Sequence, residues 1–364
     1  MTDKTFEEAL RKKILDSLNG GGEIQKTPEK PKTASNLFNK GSKTDTKGML
    51  ELADIIGSSH SNGKKYYWPV DIKKTPEHWD VAIRHTIPVP STTHVPDYDY
   101  CVDILDAIAY NKVLMAKGYP GTGKDSTIEW IAGLLNYPYM REDGMEGIDS
   151  GEILGYTVPD GSGGYTEMQT TLWRMAKYGG LYVRSEPFAC SASVNMAMQS
   201  LLEPQRLYKV PGHPDPTKGN FRASDCFRLF LTTNARGTGD DIDRFAATTV
   251  QDQSTLNRVD IHAEVGYLLP EREVAMLQNA YPDMTVVLAK KMVKLAGVLR
   301  DAWKQGTIEL PFSPRQLLEW GSVSMRHGEV ERGFKQCYYN GLNDDEKGEV
   351  KRHWLDVDFN APLT

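Results

Sequence analysis

Residues 118–126 read Gly118-Tyr119-Pro120-Gly121-Thr122-Gly123-Lys124-Asp125-Ser126. An apolar run at 113–116 precedes this segment, and a helical pattern over 127–135 follows it. A buried strand, a glycine-rich turn and a helix N-terminus in this order form a cradle for phosphate groups. Glycines let the backbone approach the phosphates, the N–H groups and the positive helix end favour the anion, and Lys124 can reach the terminal phosphates. The segment therefore predicts a nucleotide-binding protein in which residues 118–126 hold the nucleotide.

Apolar strands alternate with helices on both sides of this segment. Further strands are predicted at 137–141, 179–184 and 227–233, and helices at about 99–110, 167–178 and 191–203. Strands that are apolar throughout are typical of a parallel sheet covered by helices on both faces. Ligands of such sheets lie beyond the carboxyl ends of the strands. Because Lys124, Glu186 and Asn234 each follow a strand end, we expect all three in one crevice.

The composition is that of a soluble globular protein. The 364 residues are 39% hydrophobic and 25% charged, and the net charge of −6 gives no global argument for nucleic-acid binding. The four cysteines are far apart, so they predict reduced thiols and neither a metal site nor a disulfide framework. No apolar run approaches 18 residues, and the first residues lack a signal-peptide core. We therefore expect a cytoplasmic protein without a membrane segment.

The sequence divides into five predicted parts. Residues 1–48 form a flexible extension, with an amphipathic helix (or a tail that folds only transiently) over 5–18 and a lysine-rich linker. Residues 49–95 are predicted to be a small appended element without visible chemistry. A nucleotide-binding domain over 96–269, a helical lid over 270–353 and a surface tail over 354–364 follow.

Three features within the last parts carry specific expectations. Residues 142–166 are a polar, glycine-rich stretch, and 207–225 form a hairpin-like insertion. The lid is predicted from helices at 271–280, 285–305 and 314–326. One apolar stripe at helical spacing is assigned to its core: Met284, Leu288, Met292, Leu295 and Leu299.

Four segments, taken in order, carry a resemblance to a known family. They lie at 111–124 (NKVLMAKGYPGTGK), 227–239 (FRLFLTTNARGTG), 256–259 (LNRV) and 313–317 (SPRQL). On these segments the chain resembles AAA+ ATPases of the MoxR type, and specifically the CobS-like ATPase subunits of cobaltochelatases. The resemblance implies an α/β P-loop domain with a helical lid, ATP and Mg²⁺ as cofactors, and a homo-oligomeric ring, commonly a hexamer. It also implies that the ring remodels a partner through a second protein that carries a von Willebrand A-type domain.

The resemblance also implies roles for individual residues. Lys124 would bind the β- and γ-phosphates, Glu186 would polarise the attacking water, and Asn234 would help to place that water. Arg258 would be the arginine finger that acts on a neighbouring subunit's nucleotide, with Arg236 and Arg244 as rival candidates. Such a finger contributes roughly 10³–10⁵ in rate. Arg315 would be the sensor 2 arginine that reports the γ-phosphate to the lid.

Two positions depart from the family pattern, and both face Mg²⁺ in the family. Asp125 stands where the family has Ser or Thr, and Ser185 stands where it has Asp. Either the metal positions have decayed, or a carboxylate and a hydroxyl have traded places across the metal. Asp125 adds a negative charge near the phosphates, which repels them unless a cation shields it. Ser126 would supply the hydroxyl if the loop shifted by one residue.

The sequence therefore predicts an ATP-hydrolysing ring that remodels a partner. A nucleotide-gated scaffold with little turnover is the alternative from another class, since Asp125 and Ser185 stand at the magnesium positions. A nucleic-acid motor is a lesser alternative, suggested by the lysine-rich extension and the hairpin at 207–225. The negative net charge and the scarcity of aromatics in the extension argue against nucleic acid.

Overall fold

A five-stranded parallel sheet lies at the centre of the fold. The computed structural model describes residues 48–57, 64–234 and 253–359. The sheet has the order β11-β3-β10-β7-β4. Its strands are β3 (Leu114–Lys117), β4 (Tyr139–Asp143), β7 (Gly180–Ser185), β10 (Phe227–Thr233) and β11 (Ile261–Glu264). The sequence predicted the first four but not β11, which is short and only partly buried.

The register of the sheet brings the carboxyl ends of its strands to one edge. Thr233 of β10 pairs with Lys117 of β3, and Thr232 pairs with Ser185 of β7. On the other side of β7, Ser185 pairs with Asp143 of β4. Every residue of β7 and β10 is buried, as expected for central strands covered on both faces. Residues that follow these strand ends therefore meet at the same edge.

Helices cover the sheet and connect its strands. The helix after the glycine-rich loop begins at Lys124, and the helix before β3 is capped by Asp97, whose carboxylate accepts a hydrogen bond from Tyr100 N. The helix predicted over 191–203 is broken into two short helices at Met198. The helices of this part are α3 (Tyr98–Ala109), α4 (Lys124–Leu134), α5 (Ser150–Leu154), α6 (Thr171–Tyr178), α7 (Ala192–Ala197), α8 (Gln199–Leu202), α9 (Pro216–Gly219) and α10 (Gln253–Leu256).

The segment before α3 shares the core of the main domain. It contains the two-stranded sheet of β1 (Met49–Glu51) and β2 (Tyr67–Pro69) and the short helices α1 (Leu52–Ile56) and α2 (Val81–Arg84). Its buried side chains belong to the same hydrophobic cluster as the central strands, among them Leu52, Trp68, Trp79 and Ile83. These large apolar side chains are therefore part of the core of the sheet domain, while the division of the chain at 95 stays a prediction.

Two hairpins lie between the central strands. The polar stretch at 142–166 contains α5, which the sequence did not predict, and most of a hairpin of β5 (Tyr156–Pro159) and β6 (Tyr165–Met168). The expected hairpin at 207–225 is present as β8 (Leu207–Lys209) and β9 (Asn220–Arg222). The two hairpins are joined by a contact of 3.0 Å between His213 Nε2 and Glu167 Oε1.

The region after β11 is helical and has its own core. It consists of α11 (Pro270–Ala280), α12 (Val286–Gln305), α13 (Pro314–His327), α14 (Val330–Cys337) and α15 (Asp344–Val357). All five residues of the predicted apolar stripe, from Met284 to Leu299, are buried in this second cluster. The boundary predicted at 354 falls inside α15, where Trp354 stacks on Phe334 with ring centroids 4.8 Å apart.

Some predictions concern residues outside the described part of the chain. These are the helix over 5–18, the linker that follows it, and the rival arginines Arg236 and Arg244. Within the described ranges, no helix is long and apolar enough to cross a membrane.

Candidate nucleotide-binding site

The loop at 118–123 has the backbone of a phosphate cradle. Gly123 precedes α4 with φ of 88°, and Gly121 has φ of 73°, both in the left-handed region that favours glycine. A Cβ at Gly118 would stand 2.0 Å from the carbonyl oxygen of Val265, so the loop lies directly against the chain after β11. The N–H groups at the start of α4, an 11-residue helix, are thus presented to the crevice at the sheet edge.

A cleft of about 670 Å³ opens over this loop. Its floor is formed by residues 121–127, and charged side chains from two other elements, Arg141 and Arg315, line it as well. Its remaining wall is largely apolar and includes Val95, Val265, Leu268, Met276 and Leu318. A site of this size with an apolar wall and a charged floor suits the base and the phosphates of a nucleotide.

Lys124 is held at the centre of the site. Its Nζ donates hydrogen bonds to the carbonyl oxygens of Gly118 (2.8 Å) and Tyr119 (3.0 Å) and to Asn234 Oδ1 (2.8 Å). Burial lowers the pKa of Lys124, whereas the nearby carboxylates of Glu186 and Asp125 act to raise it. The ammonium group is therefore oriented toward the sheet edge and surrounded by acceptors that a phosphate can replace.

Glu186 follows β7, and its carboxylate is hydrogen-bonded to the residues at the carboxyl end of β10. Its carboxylate accepts hydrogen bonds from Asn234 N (3.0 Å) and Thr233 Oγ1 (3.2 Å). Burial raises the pKa of Glu186, an effect opposed by the Asn234 N–H and the charge of Lys124. Glu186 has φ of 49°, and this left-handed backbone in a non-glycine residue is typical of functional sites. The structure thus brings together Lys124, Glu186 and Asn234, as the sequence predicted.

The two predicted magnesium residues are placed differently. Asp125 faces the cleft and offers the oxygen donors that Mg²⁺ prefers. Its Oδ1 accepts a hydrogen bond of 2.6 Å from Thr232 Oγ1, and its Oδ2 lies 3.4 Å from Arg141 Nη1. Ser185 is only 3% exposed and is not among the residues that line the cleft. Asp125 therefore fits a nucleotide-bound Mg²⁺, and its carboxylate is hydrogen-bonded to the hydroxyl of Thr232. The magnesium role of Ser185 stays a prediction.

The two predicted arginines also differ in position. Arg315 is the second residue of α13 and lines the cleft, which is the position expected of an arginine that contacts the nucleotide from the lid. Arg258 does not line the cleft, and its Nε donates a hydrogen bond of 2.6 Å to Glu203 Oε1. The position of Arg258 therefore does not support action on this chain's own nucleotide. It is compatible with action on the nucleotide of a neighbouring subunit.

The glycine-rich loop also contacts the helical region directly. Tyr119 stacks on Tyr267 with ring centroids 5.7 Å apart and meets Trp303 of α12 edge-on at 5.1 Å. A Cβ at Gly121 would stand 2.5 Å from Cβ of Ser313, the residue that caps α13. A change in the loop on nucleotide binding would therefore reach the helical region through these contacts.

Sequence reasoning missed three residues of the site. Arg141 and Thr232 lie within strands, and His94 lies in the segment to which no chemistry was assigned. His94 Nε2 lies 3.1 Å from Thr127 Oγ1 and its ring is 5.0 Å from that of Trp130. The available signal for Arg141 and Thr232 was their place near the carboxyl ends of predicted strands, where ligands of parallel sheets bind.

Fold and site together define the class of protein. A parallel sheet of order β11-β3-β10-β7-β4, a phosphate loop between β3 and α4, a carboxylate after β7 and an asparagine after β10 characterise the AAA+ P-loop fold with a helical lid. No family model matches the chain. The aerobic cobaltochelatase subunit CobS of Sinorhizobium sp. is 26% identical over 312 residues, which covers 78% of this chain and 92% of CobS.

Two further proteins are more distant. Midasin of Giardia intestinalis is 25% identical over 136 residues, 37% of this chain and only 3% of Midasin. Among solved structures, a RuvB mutant of Thermotoga maritima aligns over 72% of this chain and 75% of its own, with 13% identity and a TM-score of 0.44, a similarity too distant to bear on function. The chain is thus similar to CobS over most of its length, which confirms the resemblance seen in the sequence motifs.

Proposed function

We propose that this protein binds ATP with Mg²⁺ in the cleft, hydrolyses it to ADP and phosphate, and uses this ATPase cycle to remodel a partner. One observation carries the proposal: Asn234 joins the phosphate-binding lysine to the candidate base. Its Oδ1 accepts from Lys124 Nζ at 2.8 Å, and its N–H donates to Glu186 Oε1 at 3.0 Å. A cation for the phosphates and a carboxylate that can act on the attacking water are groups that phosphoryl transfer to water uses, and Asn234 holds the two close together.

The residues of the site have separate tasks in this proposal. Lys124 exchanges its carbonyl acceptors for phosphate oxygens, and the N–H groups at the start of α4 hold the phosphates from below. Glu186 accepts the proton of the attacking water, and Asn234 fixes the direction of that carboxylate. The chemistry supplied by a bound Mg²⁺ is neutralisation of charge on the phosphates, with Asp125 as the candidate protein oxygen.

Steady-state phosphate release with ATP and Mg²⁺ tests this function. We expect turnover per subunit to rise with protein concentration, because the candidate finger Arg258 requires a neighbouring subunit. ATP binding without release, in the presence and absence of a cell extract that supplies activators, would instead support a nucleotide-gated scaffold. Absence of ATP binding would contradict the proposal altogether.

The ring, its size and its partner also belong to the proposal. We propose a homo-oligomeric ring, a hexamer by resemblance to the family, that works in the cytoplasm with a second protein carrying a von Willebrand A-type domain. CobS is by name a subunit of a cobaltochelatase, but no group of three or more His, Cys, Asp or Glu in the described part of this chain could hold a metal ion. The proposed work of the ring is done on a partner protein.

Action of Arg258 on a neighbouring site leads to a prediction for mixed rings. Arg258→Ala and Glu186→Gln variants are each expected to release phosphate at least about 10²-fold more slowly than the wild type. Their mixture should recover a measurable part of the wild-type rate, since an intact Glu186 site can then meet an intact Arg258 of a neighbour. Phosphate release is measured at fixed total protein over a series of mixing ratios.

The matched control for this experiment is Glu203→Gln, which removes the carboxylate that holds Arg258 at 2.6 Å. That variant should retain hydrolysis, because the finger would leave Glu203 in order to act. A mixture that is no faster than the sum of its two components would contradict action in trans.

A further inference from the structure

Arg141 is a cation of the cleft that the family motifs do not include. It lies on β4, where Tyr139, Arg141 and Asp143 share one face of the strand because side chains alternate along it. That face is turned toward α4, since Arg141 Nη1 lies 3.4 Å from Oδ2 of Asp125, the second residue of α4. Arg141 lines the cleft together with residues 121–127. The guanidinium is thus positioned beside the phosphate loop.

Two carboxylates hold the guanidinium in place. Arg141 donates to Asp143 Oδ1 from Nη2 at 2.5 Å and from Nε at 3.1 Å, and its Nη1 lies 3.4 Å from Asp125 Oδ2. A guanidinium has five N–H donors, so the hydrogen bonds to Asp143 leave donors on Nη1 and Nη2 for a ligand. The side chain is 39% exposed, which leaves it accessible from the cleft.

Both carboxylate oxygens of Asp125 have a partner that fixes the position of the side chain. Thr232 Oγ1 donates to Oδ1 at 2.6 Å, and Thr232 is fully buried in β10. With Oδ1 fixed by the sheet, Oδ2 is directed toward Arg141. A carboxylate at the second position of α4 would repel phosphate groups unless a cation neutralised it, and Arg141 is the cation at that distance. Asp125 and Arg141 therefore form a unit in which the carboxylate orients the guanidinium.

We propose that Arg141 binds the phosphate groups of the nucleotide from within the same subunit, and that Asp125 is the positioning residue that orients it. This inference rests on the proposed nucleotide-binding function and adds a phosphate ligand to it. Arginine suits the task because its planar fork of donors matches phosphate oxygens. The site would consequently favour nucleotides with two or three phosphates over a monophosphate.

The test measures the affinities of the full chain for ATP, ADP and AMP by titration calorimetry. We expect Arg141→Met to weaken ATP and ADP about 10-fold to 100-fold, the range for a hydrogen bond to a charged group, and AMP by less than about twofold. Arg141→Lys should recover part of the affinity for ATP, because it keeps the charge but not the fork. Thermal unfolding and circular dichroism establish that each variant is folded.

Because Asp125 is also the candidate Mg²⁺ ligand, its effect on Arg141 is tested with metal-free ATP, in the background of the arginine variant. In Arg141→Met the carboxylate of Asp125 loses its neutralising partner, so adding Asp125→Thr should strengthen ATP binding relative to Arg141→Met alone. In the wild-type background Asp125→Thr should weaken it, because Arg141 is then no longer oriented. Arg174→Met is the control, since Arg174 donates to the carbonyl oxygen of Ala82 and does not line the cleft.

The outcomes separate the inference from the function on which it rests. If the wild type binds ATP and Arg141→Met binds it equally well, the inference is overturned while the proposed function stands. Equal weakening of ATP, ADP and AMP would also overturn it, because that pattern indicates a general structural defect. If the wild type binds none of the three nucleotides, the proposed function itself is wrong.

Discussion

Replacing Glu186 with Gln is expected to slow steady-state phosphate release about 10²–10⁴-fold while ATP binding is retained. The substitution keeps the size of the side chain and one oxygen, so the contacts with Asn234 N and Thr233 Oγ1 can partly persist. It removes the carboxylate that would accept the proton of the attacking water. Phosphate release and ATP affinity are measured on the same preparation.

A suitable control for this substitution is Glu142→Gln. Glu142 accepts a hydrogen bond of 2.6 Å from Tyr182 and lies on the opposite face of β4 from Arg141. We expect this variant to hydrolyse ATP at close to the wild-type rate. Turnover of Glu186→Gln within about twofold of the wild type would show that Glu186 is not the base and would require another group for the water.

Replacing Lys124 with Met should weaken ATP binding about 10-fold to 100-fold or more, because the substitution removes a charge-assisted hydrogen bond to the phosphates. It also leaves the carbonyl oxygens of Gly118 and Tyr119 and the Oδ1 of Asn234 without their described donor. Binding of ATP and ADP is measured by calorimetry, and phosphate release should be lost in parallel. The thermal midpoint of unfolding reports any change caused by the orphaned acceptors.

Lys112→Met provides the comparison for that experiment. Lys112 precedes the amino end of β3, the strand whose carboxyl end leads into the phosphate loop, and it pairs with Asp260 at 3.2 Å. Because this pair is exposed, its loss should change stability by less than about 1 kcal/mol and leave ATP affinity unchanged. Equal ATP affinity of Lys124→Met and the wild type would mean that residues 118–126 are not a nucleotide site.

Features that depend on neighbours in the chain could be predicted from the sequence. The phosphate loop, β3 and α4 follow one another within 21 residues, Leu114–Leu134, and the glycines there permit backbone conformations that other residues rarely adopt. The buried strands β7 and β10 and the apolar stripe of α12 were likewise predicted, since uninterrupted apolar runs and helical spacing both report burial. The meeting of Lys124, Glu186 and Asn234 followed from a general rule for parallel sheets.

Features that depend on the order and register of strands could not be predicted in this way. Arg141 and Asp125 are 16 positions apart in sequence, and Thr232 lies 107 positions from Asp125. They meet because β4 and β10 flank β7 in the sheet, and local sequence does not encode which strand lies beside which. The same reason explains why Ser185, although it follows the predicted strand, is enclosed between Thr232 and Asp143 in the register of the sheet.

The placement of the segment before α3 also arose from long-range packing. Nothing in its local pattern links it to the nucleotide, yet its Trp68 and Trp79 are buried in the main core, and His94 Nε2 lies 3.1 Å from Thr127 Oγ1. Hydrophobic burial is non-directional, so a sequence reveals that a tryptophan will be buried but not against which surface. The local pattern of this chain thus specified most of its elements and its phosphate loop, whereas the charges around that loop were set by the packing of distant segments.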